Sequence, residues 1–281
     1  MELSERLLMS ALLVERGSVV ADVGCDHGFT SIWLVRQGIC PRVLAMDVNP
    51  GPLQRAKEHI REAGLSAYIE TRLSDGLSAM ECADGKPEAD TLLMAGIGGR
   101  LACRLMEDAR DKLRGMRAVI VQPQSELSCV RGTLVELGYR ITAEDMVKEG
   151  GKFYTAIRAE NAAYAEDAAF PEKASREKGA DPAEADGIPA VPDGLALSEK
   201  AWRAAGEEYG FYLILNRHPV LSEYLEEALR RNRAAREAIL TGACRQAEDG
   251  LRERSRRRLD ELDAEAGLAG KLKEWLKRET G

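Results

Sequence analysis

Strand-like runs alternating with stretches of helical spacing constrain this chain more than any other feature. The runs cover 18–23, 42–46, 67–72, 90–94 and 118–122, and the helical stretches cover 3–14, 30–37, 52–63, 99–109 and 127–137. The first and last runs (SVVADV, AVIVQ) are rich in β-branched residues and lack polar alternation, the pattern of strands covered on both faces. Repeated units of this kind predict an α/β fold with a mostly parallel sheet and helices on either side. The segments 139–148 and 152–159 then predict an antiparallel pair that closes the sheet.

Composition changes after residue 160. Between 161 and 195 three basic residues face eight acidic ones, a local balance of −5 within a total of −7, and large apolar residues are few. Such a segment cannot offset its ordering entropy, so 161–198 is expected to be a flexible acidic insertion or linker. In 199–281, Leu221, Leu225, Leu229, Ala235 and Ile239 form one apolar stripe, and Leu251, Leu259, Leu262, Leu268, Leu272 and Trp275 form another. With Gly242 and Gly250 between the stripes, a C-terminal domain built on an α-helical hairpin or coiled coil is expected. The preceding 1–160 would be the catalytic domain.

Several functional classes are disfavoured. No apolar run approaches the ~18 residues of a membrane span, and the opening MELSERLL carries acids before any basic cluster, so a cytoplasmic protein without a membrane partner is expected. Six cysteines at 25, 40, 82, 103, 129 and 244 include no CxxC spacing, which predicts free thiols and no metal. The acidic total argues against a nucleic-acid partner only until one sees that a single segment supplies most of it.

The chemistry concentrates where strands end. After the first run comes DVGCDHG, with Asp22, Gly24, Asp26 and Gly28 at two-residue intervals. Glycine there lets backbone approach a ligand. A dinucleotide site prefers glycine at the position of Asp26, because a carboxylate would repel a pyrophosphate. The sulfonium and ammonium charges of S-adenosylmethionine instead favour acids. Asp47 ends the second run, where an acid accepts hydrogen bonds from ribose hydroxyls, and Ser74, Asp75 and Gly76 follow the third, where an acid can accept from adenine's exocyclic amine. Each acid alone could be a helix cap or turn residue. Three at successive strand ends beside a glycine turn point to cofactor binding. The fourth run ends in MAGIGG, 94–99, where an acceptor would meet the donor, and the fifth ends at Gln122, Pro123 and Gln124, whose amides could bond a base edge.

DVGCDHG, AGIGG, VQPQ, KEGGKFY (148–154) and YGFYLILNRHPVLSEYL (209–225) together resemble the bacterial tRNA adenine-22 N1-methyltransferases over nearly the whole chain. The resemblance implies a Rossmann-like class I methyltransferase that moves a methyl group from S-adenosylmethionine to N1 of adenine in tRNA, leaving S-adenosylhomocysteine. It implies cofactor contacts from Asp22, Gly24, Cys25, Asp26, His27, Asp47, Val48, Ser74, Asp75, Gly76, Ala95 and Gly96, with Asp26, Gly96 and Gln122 nearest the chemistry. Ile97, Gln124 and Gly150 depart from the residues frequent in that family. Two basic runs could meet RNA: Arg100, Arg104, Arg110, Lys112, Arg114 and Arg117, then Arg252, Arg254, Arg256, Arg257 and Arg258. Competing readings are an RNA-binding protein that keeps the fold without turnover, and a methyltransferase acting on protein or a small molecule.

Overall fold

A computed structural model describes residues 2–83, 85–167, 188–244 and 253–278. The chain divides into two compact units, 1–179 and 180–281.

The first unit alternates helices and strands as the apolar runs require. In chain order these are α1 (Glu5–Leu12), β1 (Val19–Val23), α2 (Phe29–Arg36), β2 (Arg42–Asp47), α3 (Pro50–Glu62), β3 (Ile69–Leu73), β4 (Cys82–Ala83), β5 (Lys86–Pro87) and β6 (Thr91–Ile97). They continue with α4 (Gly99–Asp108), α5 (Arg110–Leu113), β7 (Ala118–Pro123), α6 (Leu127–Glu136), β8 (Tyr139–Glu149), β9 (Lys152–Asn161) and α7 (Ala162–Asp167). Seven strands form one sheet in the order β3-β2-β1-β6-β7-β9-β8. Pairing is parallel from β3 through β7, and β9 is antiparallel to both β7 and β8. The strand order reverses between β1 and β6, and in open α/β sheets ligands bind at the carboxyl ends of strands beside such a reversal.

Successive side chains on each strand point to opposite faces, so the sheet has two cores. Val20, Val43, Ala45, Leu93 and Ile120 pack against Ala11, Ile32, Leu34, Ala56 and Ile60 of α1, α2 and α3. Their neighbours Ala21, Leu44, Met46, Leu92, Met94, Val119 and Val121 pack against Ala102, Leu105, Met106, Val130 and Leu134 of α4 and α6. Each fully buried Leu, Ile or Met stabilises this arrangement by roughly 1.5–3 kcal/mol. The small β4–β5 hairpin was not expected, since CA and KP carry no periodic pattern; Glu88 accepts from the Glu81 backbone N–H at 2.7 Å beside it.

The second unit contains α8 (Glu199–Tyr209), α9 (Phe211–Leu215), α10 (Pro219–Cys244) and α11 (Glu253–Lys277). The ion pairs Lys273–Glu226 and Arg236–Asp263, with Asn232 Nδ2 donating to the Leu262 carbonyl, align α10 and α11 as an antiparallel hairpin. The apolar seam is shorter than the stripes suggest. Leu221, Leu225, Leu262, Leu272 and Trp275 are buried, whereas Ala235 is exposed and α10 runs through Gly242 to Cys244. Two helices alone cannot bury a full stripe, and burial concentrates where α8 and α9 are near in the chain. Arg217, at φ +47, donates to the carbonyls of Trp275, Leu276 and Arg278 and lies over the Trp275 ring at 4.0 Å. This caps the last turn of α11 with the charge that a helix C-terminus favours.

Part of the expected linker is held in place. Pro189 and Asp193 carbonyls accept the indole N–H groups of Trp202 and Trp275, and Leu195 is buried. Residues 168–187, which hold five of the eight acids and all three bases of that segment, lie outside the described residues.

Candidate active site

The turn after β1 is shaped by backbone. Gly24 has φ +76, and a Cβ added there would meet nothing within 4 Å, so the turn faces open space. Gly28, at φ +72, differs: its added Cβ would come within 3.2 Å of Ala56, so this glycine lets α2 pack against α3. Asp26 between them sits at φ +49, in the left-handed region that Asp and Asn tolerate better than other side chains. Its carboxylate is 68% exposed and lies 3.6 Å from His27 Nε2. The His27 ring stacks on Phe29, which stacks in turn on His59.

Asp47 ties three loops together. Its Oδ2 accepts from the Asp26 N–H at 3.3 Å, its Oδ1 from the Asn49 N–H at 2.7 Å, and its carbonyl from the Ser74 N–H at 2.9 Å. An ionised carboxylate has about four acceptor positions, so capacity remains for ribose hydroxyls. Val48, beside it, is exposed. Ser74 is buried; its hydroxyl donates to the Gly76 carbonyl and accepts from the Ala79 N–H, so it shapes the loop that presents Asp75. Asp75 is 60% exposed, with Arg104 3.8 Å away. Gly76 takes a left-handed turn at φ +56, and a Cβ there would press on the Leu105 side chain at 2.9 Å.

Asp22 is buried, and its Oδ2 accepts from Ser31 Oγ at 2.6 Å, joining β1 to the first turn of α2. Burial pushes its pKa from 3.8 up to about 6; the Ser31 hydroxyl opposes the shift and Asp47 adds to it. The same burial, with Asp22 and Asp47 nearby, pushes the Cys25 thiol far above its ordinary range, so Cys25 is an inert wall rather than a nucleophile. For Asp22 the sign follows directly. The folded chain keeps this proton up to about pH 6 and the unfolded chain releases it near pH 4, so the stabilising contribution is complete below that window and lost as pH rises through it. Asp22→Asn, which can still accept from Ser31, is expected to gain roughly 3 kcal/mol relative to wild type between pH 4 and pH 7. Urea unfolding at both pH values measures this; parallel stabilities would contradict it.

The acceptor side joins two loops that are distant in sequence. A Cβ on Gly99 would stand 2.1 Å from the Ser125 carbonyl, so the AGIGG turn and the loop after β7 meet backbone to backbone. Ser125 Oγ accepts from the Gly99 N–H at 3.3 Å, and the Glu126 carboxylate accepts from the Arg100 N–H at 3.0 Å and from Arg100 Nε at 2.6 Å. These bonds satisfy donors at the start of α4. Ala95 pairs with Gln122 across β6 and β7. Gln122 is fully buried, and its Oε1 has no hydrogen-bond partner among the described residues.

The first basic run is largely engaged within the protein. Lys112 donates to the carbonyls of Leu77, Ser78 and Met80, bracing the loop that carries Asp75, and Arg117 binds Glu15 and the Ser18 hydroxyl. In the second run Arg254, Arg256 and Arg257 are exposed on α11, Arg258 pairs with Glu261 and Glu265, and Arg252 lies outside the described residues. Cys25, Cys40, Cys82, Cys103 and Cys129 are free thiols. Among the described residues no helix is long and apolar enough to cross a membrane, and no cluster of three His, Cys, Asp or Glu could hold a metal ion.

A seven-stranded sheet of this order, with an open glycine turn rimmed by carboxylates at the carboxyl edge of β1, β2 and β3, defines a Rossmann-like methyltransferase. Residues 3–157 match the family model described as a methyltransferase domain, and the chain belongs to that family. It is similar to the tRNA (adenine(22)-N(1))-methyltransferase of Bacillus subtilis (strain 168), with 32% identity over 160 residues. That alignment covers 57% of this chain and 66% of the relative, just under two thirds of its length. The crystal structure of the B. subtilis m1A22 tRNA methyltransferase TrmK superposes with a TM-score of 0.73 at 26% identity, covering 97% of this chain and 99% of that one. M. capricolum TrmK, solved with S-adenosyl-homocysteine, shares the fold at 19% identity and a TM-score of 0.68, covering 98% of each chain.

Arg6 escaped the sequence reading. It reaches the acceptor turn from α1, ninety positions before Gly96, and no spacing in the sequence signals that meeting.

Proposed function

We propose that this chain transfers a methyl group from S-adenosylmethionine to N1 of adenine 22 in tRNA, as a cytoplasmic enzyme. The carrying observation is the open Gly24 turn bordered by Asp26, Asp47 and Asp75. Negative side chains there suit a cationic donor and repel a pyrophosphate. The empty space a Gly24 Cβ would fill and the unused acceptor positions of Asp47 fit S-adenosylmethionine. Similarity to the B. subtilis enzyme, at 32% identity, supports adenine N1 of tRNA as the acceptor.

When bound, the donor supplies an electrophilic methyl carried on a sulfonium. The protein's part is chiefly alignment, which can contribute about 7–11 kcal/mol in favourable systems. Asp47 would hold the ribose hydroxyls, Asp75 the adenine amine of the donor, and Gly24 the close backbone approach. Adenine N1 attacks with its own lone pair, so no base is needed to create the nucleophile. The methylated ring is cationic, and Asp26, exposed beside the turn, would polarise the acceptor's exocyclic amine or take its proton. Gln124 would border the base edge, and Gln122, fully buried in β7, would support it from behind rather than touch the base.

The test is incubation with labelled donor and tRNA transcripts, with the modified nucleotide located by mass spectrometry. One N1-methyladenosine at position 22 is expected. Label appearing only in protein or small-molecule fractions would favour another acceptor, and tRNA binding without label would favour a non-catalytic RNA-binding protein.

A further inference from the structure

Gly96 at φ +79 is bracketed by two side chains from other parts of the sheet. A Cβ at this position would lie 3.1 Å from Arg6 Nη1 and 3.8 Å from Gln124 Nε2. The left-handed backbone requires the glycine, and the Arg6 guanidinium approaches closely over it. Arg6 is held there from two sides. Its Nε lies 3.6 Å from Glu149 Oε2, and its guanidinium carbon lies 5.7 Å from the centre of the Tyr154 ring. Glu149 is fixed in turn, because its Oε1 accepts from the Glu5 N–H at 2.8 Å, pinning the first turn of α1 to the end of β8. Val147 pairs with Tyr154 and Glu149 with Lys152, so Glu149 and Tyr154 share one face of the hairpin, the face α1 occupies.

The Arg6 side chain is 29% exposed, and its carboxylate partner stands at a distance too long for a tight hydrogen-bonded pair. Such a guanidinium is oriented without being saturated. Its fork of donors suits a phosphate, which presents two oxygens in matching geometry. A tRNA nucleotide drawn out of its stack presents three chemistries: a backbone phosphate, a flat base face and a hydrogen-bonding edge. Around Gly96 the protein sets out a guanidinium suited to the first and an amide suited to the last.

We infer that Arg6 is a positioning residue for the acceptor: it holds a backbone phosphate of the extruded nucleotide so that the base reaches the Gly96 turn. This rests on the tRNA reading above and adds to it the group that aligns the substrate. Glu149 and Tyr154 act through Arg6 by fixing its plane.

The experiment compares full-length wild type, Arg6→Ala and Arg6→Lys, measuring kcat and KM for a tRNA transcript at several salt concentrations, with calorimetry for S-adenosylmethionine. Arg6→Ala should raise KM for tRNA about tenfold while kcat changes far less, and the slope of log KM against log salt should fall by about one. Arg6→Lys should restore the salt slope while leaving KM above wild type, because an ammonium keeps the charge and loses the fork. Donor affinity should stay within about twofold of wild type in both, since Arg6 sits at the acceptor turn. Unchanged KM and salt slope in Arg6→Ala would overturn the inference, as would an equal loss of donor affinity, which would mean that Arg6 only supports the turn. A wild-type enzyme that methylates no tRNA would overturn the functional reading as well, whereas an active wild type with an indifferent Arg6→Ala overturns this inference alone.

Discussion

Asp26→Asn is expected to lower methyl transfer to tRNA by about 10²-fold, far more than it weakens S-adenosylmethionine binding, which Asp47 and Asp75 would still support. The variant is conservative in every respect but charge. Asn is among the few residues that tolerate φ +49, and the Asp47 carboxylate binds the backbone N–H of residue 26, which the substitution keeps. Loop geometry should therefore survive. What is lost is a carboxylate, 68% exposed on the donor-side turn, that can draw on the exocyclic amine as positive charge develops on the ring. Single-turnover rates with labelled donor give the comparison, and turnover equal to wild type would remove Asp26 from the chemistry.

Asp47→Ala should act on the other substrate. Its carboxylate accepts two backbone N–H groups, from Asp26 and Asn49, and would also take the ribose hydroxyls of the donor. Hydrogen bonds to a charged group contribute about 1.5–3 kcal/mol each, so losing the ribose contacts and loosening both loops is expected to cost roughly 3 kcal/mol of binding, more than a 100-fold rise in Kd. The DVGCDHG loop and the segment after β2 would both lose their anchor, so some thermal stability should go with it. Asp47→Asn, which keeps one acceptor oxygen, should fall between wild type and alanine. Donor titrations of all three decide it, and an alanine variant that binds as wild type would exclude Asp47 from the cofactor site.

The parallel core was legible because its strands are buried on both faces and so read as uninterrupted apolar runs. Predicted runs 18–23, 42–46 and 118–122 match β1, β2 and β7 to within a residue at each end. The strand at 90–94 was read too short, since β6 continues through Ala95, Gly96 and Ile97 where glycine suggests a turn. The Ala95/Ile97 register irregularity against β7 explains how a glycine at φ +79 sits within a strand. Acids at strand ends could be found by position, but their separate duties could not. Asp22 and Asp47 turn inward to hold helix and backbone, while Asp26 and Asp75 face outward; both kinds read alike in sequence.

Contacts between distant segments were the least visible. Lys112 and Arg117 read as a basic surface run, yet one braces the loop after β3 and the other reaches Glu15. Glu126 stands just before the predicted helix 127–137, and nothing in its position signals that its carboxylate satisfies the first turn of α4. In the helical unit, periodicity marked both stripes but not where burial stops, because that depends on how many neighbours each turn meets.

The central claim is that carboxylates along the rim of β1, β2 and β3 receive a positively charged methyl donor. Isothermal calorimetry on the wild-type protein with S-adenosylmethionine, S-adenosylhomocysteine and NADH tests it most directly. One-to-one binding of the first two with no heat from the dinucleotide is the predicted result; binding of NADH, or no interaction with either of the sulfur compounds, would contradict it.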